Sequence, residues 1–474
     1  CFMKKILNYI FIFICCHLII GAWWIVNYFG KVTGDEMLFH LLAPLNGISN
    51  DSYIDYFLLG VLPTLVVATI VYFLDKKYLR KRKRLIYSLA IIFSFCFFTA
   101  YLDIDNYIYN QIVSSNFIKE NYVDPENVEL DFPDKKKNLI FIFLESMEIT
   151  YMDNLNGGVK KENLIPNLTE LAKENISFSN SKKLGGALQI AGSEWTVASM
   201  VSHTSGLPLK INTSSNGIID FDEFMPEVET IGDILEDNGY KNYLIAGSDT
   251  IYGGRKAYFQ EHGNYEIYDV NDALKDKVIK EKVFWGFDDD TLYSLAKKQL
   301  LEISKEDEPF NYTMLTVDTH FEDGYLADTC DVKFNDQYAD VIYCADQKIV
   351  EFLNWLEEQE FYEDTAIVIV GDHKSMDVDF FEDVDKSYDR TNYNVFINSS
   401  VDTDNIYNRE FAAIDLYPTT LASMGVKIKG DRLGLGTNLF SDEKTLIEEY
   451  GYDYVFKELK KRSSFYNDNF LEFK

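Results

Sequence analysis

Three apolar stretches in the first hundred or so residues constrain this chain more than any other feature. They cover residues 6–26, 56–74 and 85–102, each near the ~20 residues that carry a helix across a bilayer. Pro63 falls inside the second, which a lipid-embedded helix tolerates. A cleaved signal peptide accounts poorly for the first, because its apolar core is too long and two more spans follow. Lysine and arginine set the orientation. Lys4 and Lys5 precede the first span; Lys76, Lys77, Arg80, Lys81, Arg82, Lys83 and Arg84 separate the second from the third. By the positive-inside rule both clusters belong in the cytoplasm, and the loop 27–55, with Lys31 as its single base, belongs outside. Three crossings then deliver everything after about Asp103 to the outer side.

The charge is as uneven as the hydropathy. The 474 residues include 45 bases and 76 acids, a net −31. Ten bases and six acids precede residue 104, so 35 bases face 70 acids beyond it, a net −35. Such a domain is repelled by nucleic acid and by bare anionic lipid, and no nucleic-acid partner is expected. Cys15, Cys16 and Cys96 fall in the apolar stretches, where a thiol is a small apolar group. Met3 reads as the natural start, with Cys1 and Phe2 ahead of it. Cys330 and Cys344 are the only pair in the outer portion; in an oxidising compartment they predict a disulfide rather than a two-cysteine metal site.

Residues 1–104 therefore read as a transmembrane region and 105–137, polar and carrying Pro125 and Pro133, as a connector. Residues 138–474 form an extracytoplasmic domain. There, NLIFIFL (138–144), KNYLIAG (241–247), FNYTMLTV (310–317) and TAIVIV (365–370) are continuous apolar runs, as expected of strands covered on both faces. Helical patterns at 165–174, 230–237 and 345–360 intervene, which predicts an α/β doubly wound sheet.

In such sheets ligands gather at the carboxyl ends of the strands. Glu145 follows the first run, Asp318 and His320 the third, Asp372 and His373 the fourth. Loops make many strand ends polar, but here three ends hold two of only six histidines. Carboxylate oxygens and imidazole nitrogens suit a divalent metal. Neighbouring residues of a regular strand point to opposite faces, so Asp372 and His373 can converge only if the chain turns at Gly371. In GSEWTVASM (192–200), Thr196 opens a helix-like segment, where a hydroxyl is activated by a metal and the helix dipole, or is simply an N-terminal-turn threonine.

Several ordered motifs carry a resemblance. IFLESMEITYMDN (142–154), GSEWTVASMVSHTSGLPL (192–209), WGFDDDTL (285–292), LTVDTHFEDGY (315–325), IVGDHKSM (369–376) and DRLGLG (431–436) resemble the phosphoglycerol transferases that decorate osmoregulated periplasmic glucans. More distantly they are similar to lipoteichoic acid synthases; both belong to the alkaline phosphatase/sulfatase superfamily. The likeness runs from about 138 to 440, and WWIVNYFGKVTGDE (23–36) also resembles the membrane part of the glucan enzymes. It implies an alkaline phosphatase/sulfatase-like α/β domain with a mixed sheet flanked by helices. It implies Thr196 as nucleophile and metal contact, with Glu145, Asp372 and His373 as the other ligands of one divalent ion, Mn2+ or else Mg2+. His320 matches the position that binds the substrate head group. Arg255 in YGGRKAYF stands where the synthases use a substrate-binding arginine, with the register shifted by about one residue, so Arg255 or Lys256 fills that place. Arg390 and Asn392 match a patch for which a structural role is expected.

The donor implied is phosphatidylglycerol and the acceptor a surface glycan. No Cys/Ser-x-Pro-x-Arg stretch occurs, which argues against a sulfatase activity. His262, in QEHGN, reads as a turn residue and His203 as a helix-surface residue, which favours one metal over two. The rival readings are a phosphoethanolamine transferase or phosphodiesterase on the same scaffold, and an inactive membrane-anchored binding protein.

Overall fold

The computed structural model describes residues 2–30, 33–42, 54–78, 83–210 and 224–471. Lys31, Arg80, Lys81, Arg82 and residues 32 and 43–53 of the outer loop lie outside the described residues. The chain forms two compact units, one within Cys1–Leu38, Ile48–Ile112 and Met376–Glu382, the other within Phe39–Gly47, Val113–Ser375 and Asp383–Lys474.

In the first unit three helices are long and apolar enough to cross a membrane: Met3–Tyr28, Tyr56–Lys76 and Lys83–Tyr101. Much of their apolar surface is exposed, as lipid-facing side chains are. With no hydrophobic drive between helices in lipid, polar bonds and ring packing join them. His17 on the first helix bonds Thr64 at 3.2 Å and Tyr56 at 2.8 Å on the second. Phe11 stacks on Tyr87 of the third, with centroids 4.9 Å apart.

The second unit is built on a six-stranded mixed sheet. Its strands are β1 (Asn138–Leu144), β2 (Lys241–Ala246), β3 (Glu266–Tyr268), β4 (Phe310–Leu315), β5 (Thr365–Gly371) and β6 (Asn394–Ile397). Their order is β3-β2-β4-β1-β5-β6, parallel except that β6 runs antiparallel to β5. β4 and β5 are buried throughout, and β1 from its second residue onward. Each large apolar side chain so covered contributes about 1.5–3 kcal/mol of transfer free energy. The four apolar runs are strands β1, β2, β4 and β5. The short strands β3 and β6 gave no such run.

The helix α1 (Pro166–Glu174) opens on its proline, and α2 (Ile231–Asp237) is capped by the Thr230 side chain. The pattern at 345–360 is the second half of α3 (Gln337–Glu357), which starts earlier because the Asp336 carboxylate accepts from the Ala339 N–H. Cys330 and Cys344 are disulfide-bonded, with Cα atoms 5.4 Å apart. The stretch expected as a connector holds short helices, Ile104–Ile112 and Phe117–Asn121, and Leu130–Asp131 pairs with Lys427–Ile428.

Gly371 does not turn the chain out of the sheet. It is still paired, opposite Leu144 of β1. Its role is close approach: a Cβ there would lie 1.8 Å from the Met147 carbonyl oxygen. Gly371→Ala must therefore push backbone against backbone, and we expect a loss of at least about 3 kcal/mol in unfolding free energy. Gly239→Ala, at φ 82° in open space, provides the comparison and should cost only about 1 kcal/mol. Equal losses in chemical denaturation would refute the close-approach account.

Candidate active site and metal centre

Strands β4, β1 and β5 are neighbours, and their carboxyl ends bring the sequence-predicted residues together. Leu144 and Gly371 are the last paired residues of β1 and β5, so Glu145 and Asp372 leave the sheet side by side. Asp372 N–H still donates to the Leu144 carbonyl at 3.2 Å. Beyond that bond strand alternation no longer applies, and His373 swings to the same side as Asp372. Its Nε2 lies 3.3 Å from Glu145 Oε1 and 3.4 Å from Asp372 Oδ2. One ligand atom from each of Glu145, Asp372 and His373 falls within 4.8 Å of the others, all three side chains being buried.

Thr196 joins them from a separate helix, Thr196–Ser205, of which it is the first residue. Its Oγ1 is 3.2 Å from His373 Nε2 and donates to Glu145 Oε2 at 3.3 Å. In the stretch Ala191–Met200 it alone is half-buried rather than buried, so the hydroxyl keeps access to a ligand.

Electrostatics make this group ill-suited to stand without a cation. Burial, then the neighbouring Glu145, pushes the Asp372 carboxyl up to about 8. Burial opposes a charge on His373, yet Asp372 and Glu145 raise it to about 10. Glu145, also buried, is held down at about 2, chiefly by His373. Two carboxylates thus share one pocket at the expense of protons on their neighbours, which a divalent ion would replace. Asp372 Oδ1 accepts from the Ser146 and His373 N–H groups, both at 2.7 Å, while its buried Oδ2 has no hydrogen-bond partner among the described residues. His373 Nδ1 donates to the Lys374 carbonyl at 2.9 Å, leaving the Nε2 lone pair for the pocket. An orphaned carboxylate oxygen, an oriented imidazole and a second carboxylate fit a divalent cation.

His320 stands at the end of β4 with its Nδ1 donating to the Phe321 carbonyl at 2.7 Å. Burial lowers its pKa, which favours the neutral imidazole, and no described hydrogen bond engages Nε2. Arg255 is buried; one guanidinium nitrogen donates to the Asp249 carbonyl at 2.7 Å, and its buried Nε has no partner among the described residues. Burial lowers the pKa of its guanidinium, and the charge of Glu145 acts against that. Lys256 is exposed, and no described contact joins it to this group.

Asp318 is not part of the cluster. It points into the protein, where Lys348 pairs with it at 3.0 Å and its Oδ1 accepts from the Asp289 N–H at 3.2 Å. His203 corrects the surface expectation: it is buried, donates to the Ser199 carbonyl at 2.8 Å, and is held down at about 4 by that burial. His262 does end a helix, but it is buried and donates from Nε2 to the Phe224 carbonyl at 2.9 Å.

A supporting layer holds the site. Ser146 adopts φ 54°, a conformation uncommon outside glycine, and the Tyr151 hydroxyl donates to its carbonyl at 2.9 Å. Ser199 Oγ and Asn392 Nδ2 both donate to the Asp372 carbonyl. Arg390 grips Glu148 with two nitrogens, and Glu148 in turn accepts from the Ser375 N–H at 2.8 Å. The Tyr338 hydroxyl contacts the Thr319 carbonyl at 2.9 Å and Ser375 Oγ at 2.7 Å, bridging the ends of β4 and β5. Of these only Arg390 and Asn392 drew notice in the sequence. Ser199 had a legible signal, standing at helical spacing three residues after Thr196.

Known proteins resemble the chain in the same region. The sulfatase family model matches residues 137–426. Phosphoglycerol transferase I from Salmonella choleraesuis (strain SC-B67) is 31% identical over 321 residues, which are 66% of this chain and 40% of that protein. The chain thus spans less than half the length of this relative. The lipoteichoic acid synthase LtaP from Listeria monocytogenes superimposes with a TM-score of 0.52 at 18% identity, over 69% of this chain and 82% of that one. The integral membrane lipooligosaccharide phosphoethanolamine transferase A (EptA) from Neisseria meningitidis does so with 0.53 at 15% identity, over 90% and 85%. At these identities the two structures speak for the fold alone. With its model matched over more than half of the residues, the chain belongs to the sulfatase family.

Proposed function

We propose that the protein is a membrane-anchored phosphoglycerol transferase that moves glycerophosphate from phosphatidylglycerol to a surface or periplasmic glycan. The observation that carries this reading is the meeting of a half-buried threonine hydroxyl with two carboxylates and an imidazole at adjacent strand ends. Sequence likeness to phosphoglycerol transferase I supports the choice of transferred group. In this reading residues 1–104 are the membrane region, crossing three times, 105–137 connect, and 138–474 are the catalytic domain on the outer face. An anchor in the bilayer keeps that domain at the surface where a lipid donor resides.

A divalent ion held by Glu145, Asp372, His373 and Thr196, Mn2+ in our reading and Mg2+ as the alternative, would supply a Lewis acid that lowers the hydroxyl pKa and neutralises phosphate charge. The chain's own groups do the rest. Thr196 Oγ1 forms a bond to phosphorus while the bond to the diacylglycerol oxygen breaks, and diacylglycerol leaves with a proton. Glycerophosphate then sits on Thr196 until a glycan hydroxyl displaces it. Glu145 Oε2 orients the Thr196 hydroxyl from 3.3 Å. The unpartnered Nε of Arg255 is a donor for a phosphate oxygen. His320, with no described hydrogen bond on Nε2, binds the head group or exchanges a proton with the incoming hydroxyl.

Thr196→Ala should lower diacylglycerol release from labelled phosphatidylglycerol at least about a thousandfold while the thermal midpoint holds. Turnover of that variant at the wild-type rate would remove Thr196 from the mechanism. Ethanolamine transfer without glycerophosphate transfer, in parallel assays with two labelled lipids, would overturn the donor.

The ligand set is tested separately. Mn2+ at a hundred times its dissociation constant should stabilise the folded protein by about 2.7 kcal/mol. Asp372→Asn keeps an acceptor for the Ser146 and His373 N–H groups but removes a buried charge. It should leave the metal-free midpoint unchanged or higher and abolish the Mn2+ shift. A full Mn2+ shift in that variant would exclude Asp372 as a ligand.

A further inference from the structure

A second feature borders the site without belonging to the metal cage. Val283 and Gly286 exchange both backbone hydrogen bonds, at 2.7 and 3.0 Å, which closes a two-residue turn with Phe284 and Trp285 at its tip. Phe284 has φ 51°, a conformation that bulky residues avoid. The turn has no room to relax backward. A Cβ on Gly286 would lie 1.8 Å from the Gly247 carbonyl oxygen, which also accepts from the Phe287 N–H at 2.9 Å. Lys282 pairs with Asp249 at 3.3 Å, tying the turn to the loop that leads into Arg255. Backbone strain persists only where the surroundings impose it, and it concentrates at functional sites.

The two tip rings stand beside His320. The Trp285 and His320 centroids are 4.6 Å apart with planes at 46°, and those of Phe284 and His320 are 6.3 Å apart. Phe284 lies almost parallel to Tyr325 at 6.2 Å, and Tyr252 is 6.3 Å from Trp285. All five rings are half-buried. A cluster serving only the core would be covered; these rings pack on one another and keep surface open. Charge lies next to them in the chain, on Lys282 just before the turn and on its partner Asp249. An apolar wall with charge nearby fits a ligand having an apolar face and a polar edge. A pyranose ring has that shape, with C–H groups on its face and hydroxyls around its edge. Glycerol has no face to lay on a ring, and an acyl chain gains nothing from nearby charge.

We propose that the Phe284–Trp285 turn is the acceptor subsite, a shelf on which a sugar ring lies so that one hydroxyl reaches His320 and the glycerophosphate on Thr196. The inference rests on the phosphoglycerol-transfer reading. In the second half-reaction that hydroxyl forms the new O–P bond as the Thr196 Oγ1–P bond breaks, and its proton ends on the Thr196 oxygen. Trp285 does not react; it positions the acceptor.

The test uses the full chain in detergent with Mn2+, labelled phosphatidylglycerol, and either a linear glucose oligosaccharide or glycerol as acceptor. Transfer to the oligosaccharide is scored relative to hydrolysis to free glycerophosphate. Trp285→Ala should lower that ratio about tenfold or more, change the glycerol ratio far less, and Trp285→Phe should retain most of it. A fall of all products in parallel, or no change in the ratio, would overturn the shelf. A wild-type chain that releases no diacylglycerol would instead overturn the activity, and a binding measurement covers that outcome. The oligosaccharide should quench tryptophan fluorescence of the Thr196→Ala protein, and the quench should vanish in Thr196→Ala/Trp285→Phe. A quench of equal size in both proteins would place the sugar elsewhere.

Discussion

Two carboxylates and an imidazole buried at one point are the constraint around which the second unit is arranged. Glu145 and Asp372 leave adjacent strands in register, so the sheet itself forces their charges together. Burial denies them water, and only protons or a bound cation relieve the repulsion. The raised affinity of Asp372 and His373 for protons expresses that demand. A site of this kind is costly to the fold and useful to the chemistry, because what stabilises the carboxylates also acts on the Thr196 hydroxyl between them.

The surrounding structure keeps the arrangement from relaxing. Backbone N–H groups of Ser146 and His373 fix one oxygen of Asp372, and Ser199 with Asn392 fixes its carbonyl. The Arg390–Glu148 pair and the Tyr338 hydroxyl then hold the segment after His373. Each of these residues acts on the cage through another residue. The layer also explains why Gly371 is glycine: the Met147 carbonyl presses on β5 one residue before Asp372.

Much of this was legible in the sequence because strands covered on both faces read as unbroken apolar runs. NLIFIFL and TAIVIV end at Leu144 and Val370, and the polar residues after them are the ones that meet. Edge strands β3 and β6 were not legible, being short and lacking such a run. Asp318 was as prominent as His320, yet it turns inward to Lys348 while His320 packs against the Trp285 ring. A strand end does not announce which way each of its polar residues turns. His203 read as a surface residue because a lone histidine on a helix carries no signal of what packs over it; Phe143 does so, with rings 5.4 Å apart.

By itself the sequence determined three membrane-length helices, the acidity of the domain that follows, the alternation of strands and helices, and the chemical types available at the strand ends. Those properties are local, set by apolar run length, charge count and residue order. Only the tertiary structure decided that Asp372 and His373, which a regular strand would point apart, converge once the last sheet bond is passed. It also decided that Thr196, 51 residues from Glu145 and 177 from His373, lies within hydrogen-bond reach of both. The physical reason is register: parallel pairing of β1 with β5 sets where two distant stretches stop, and no property of either stretch alone contains that alignment.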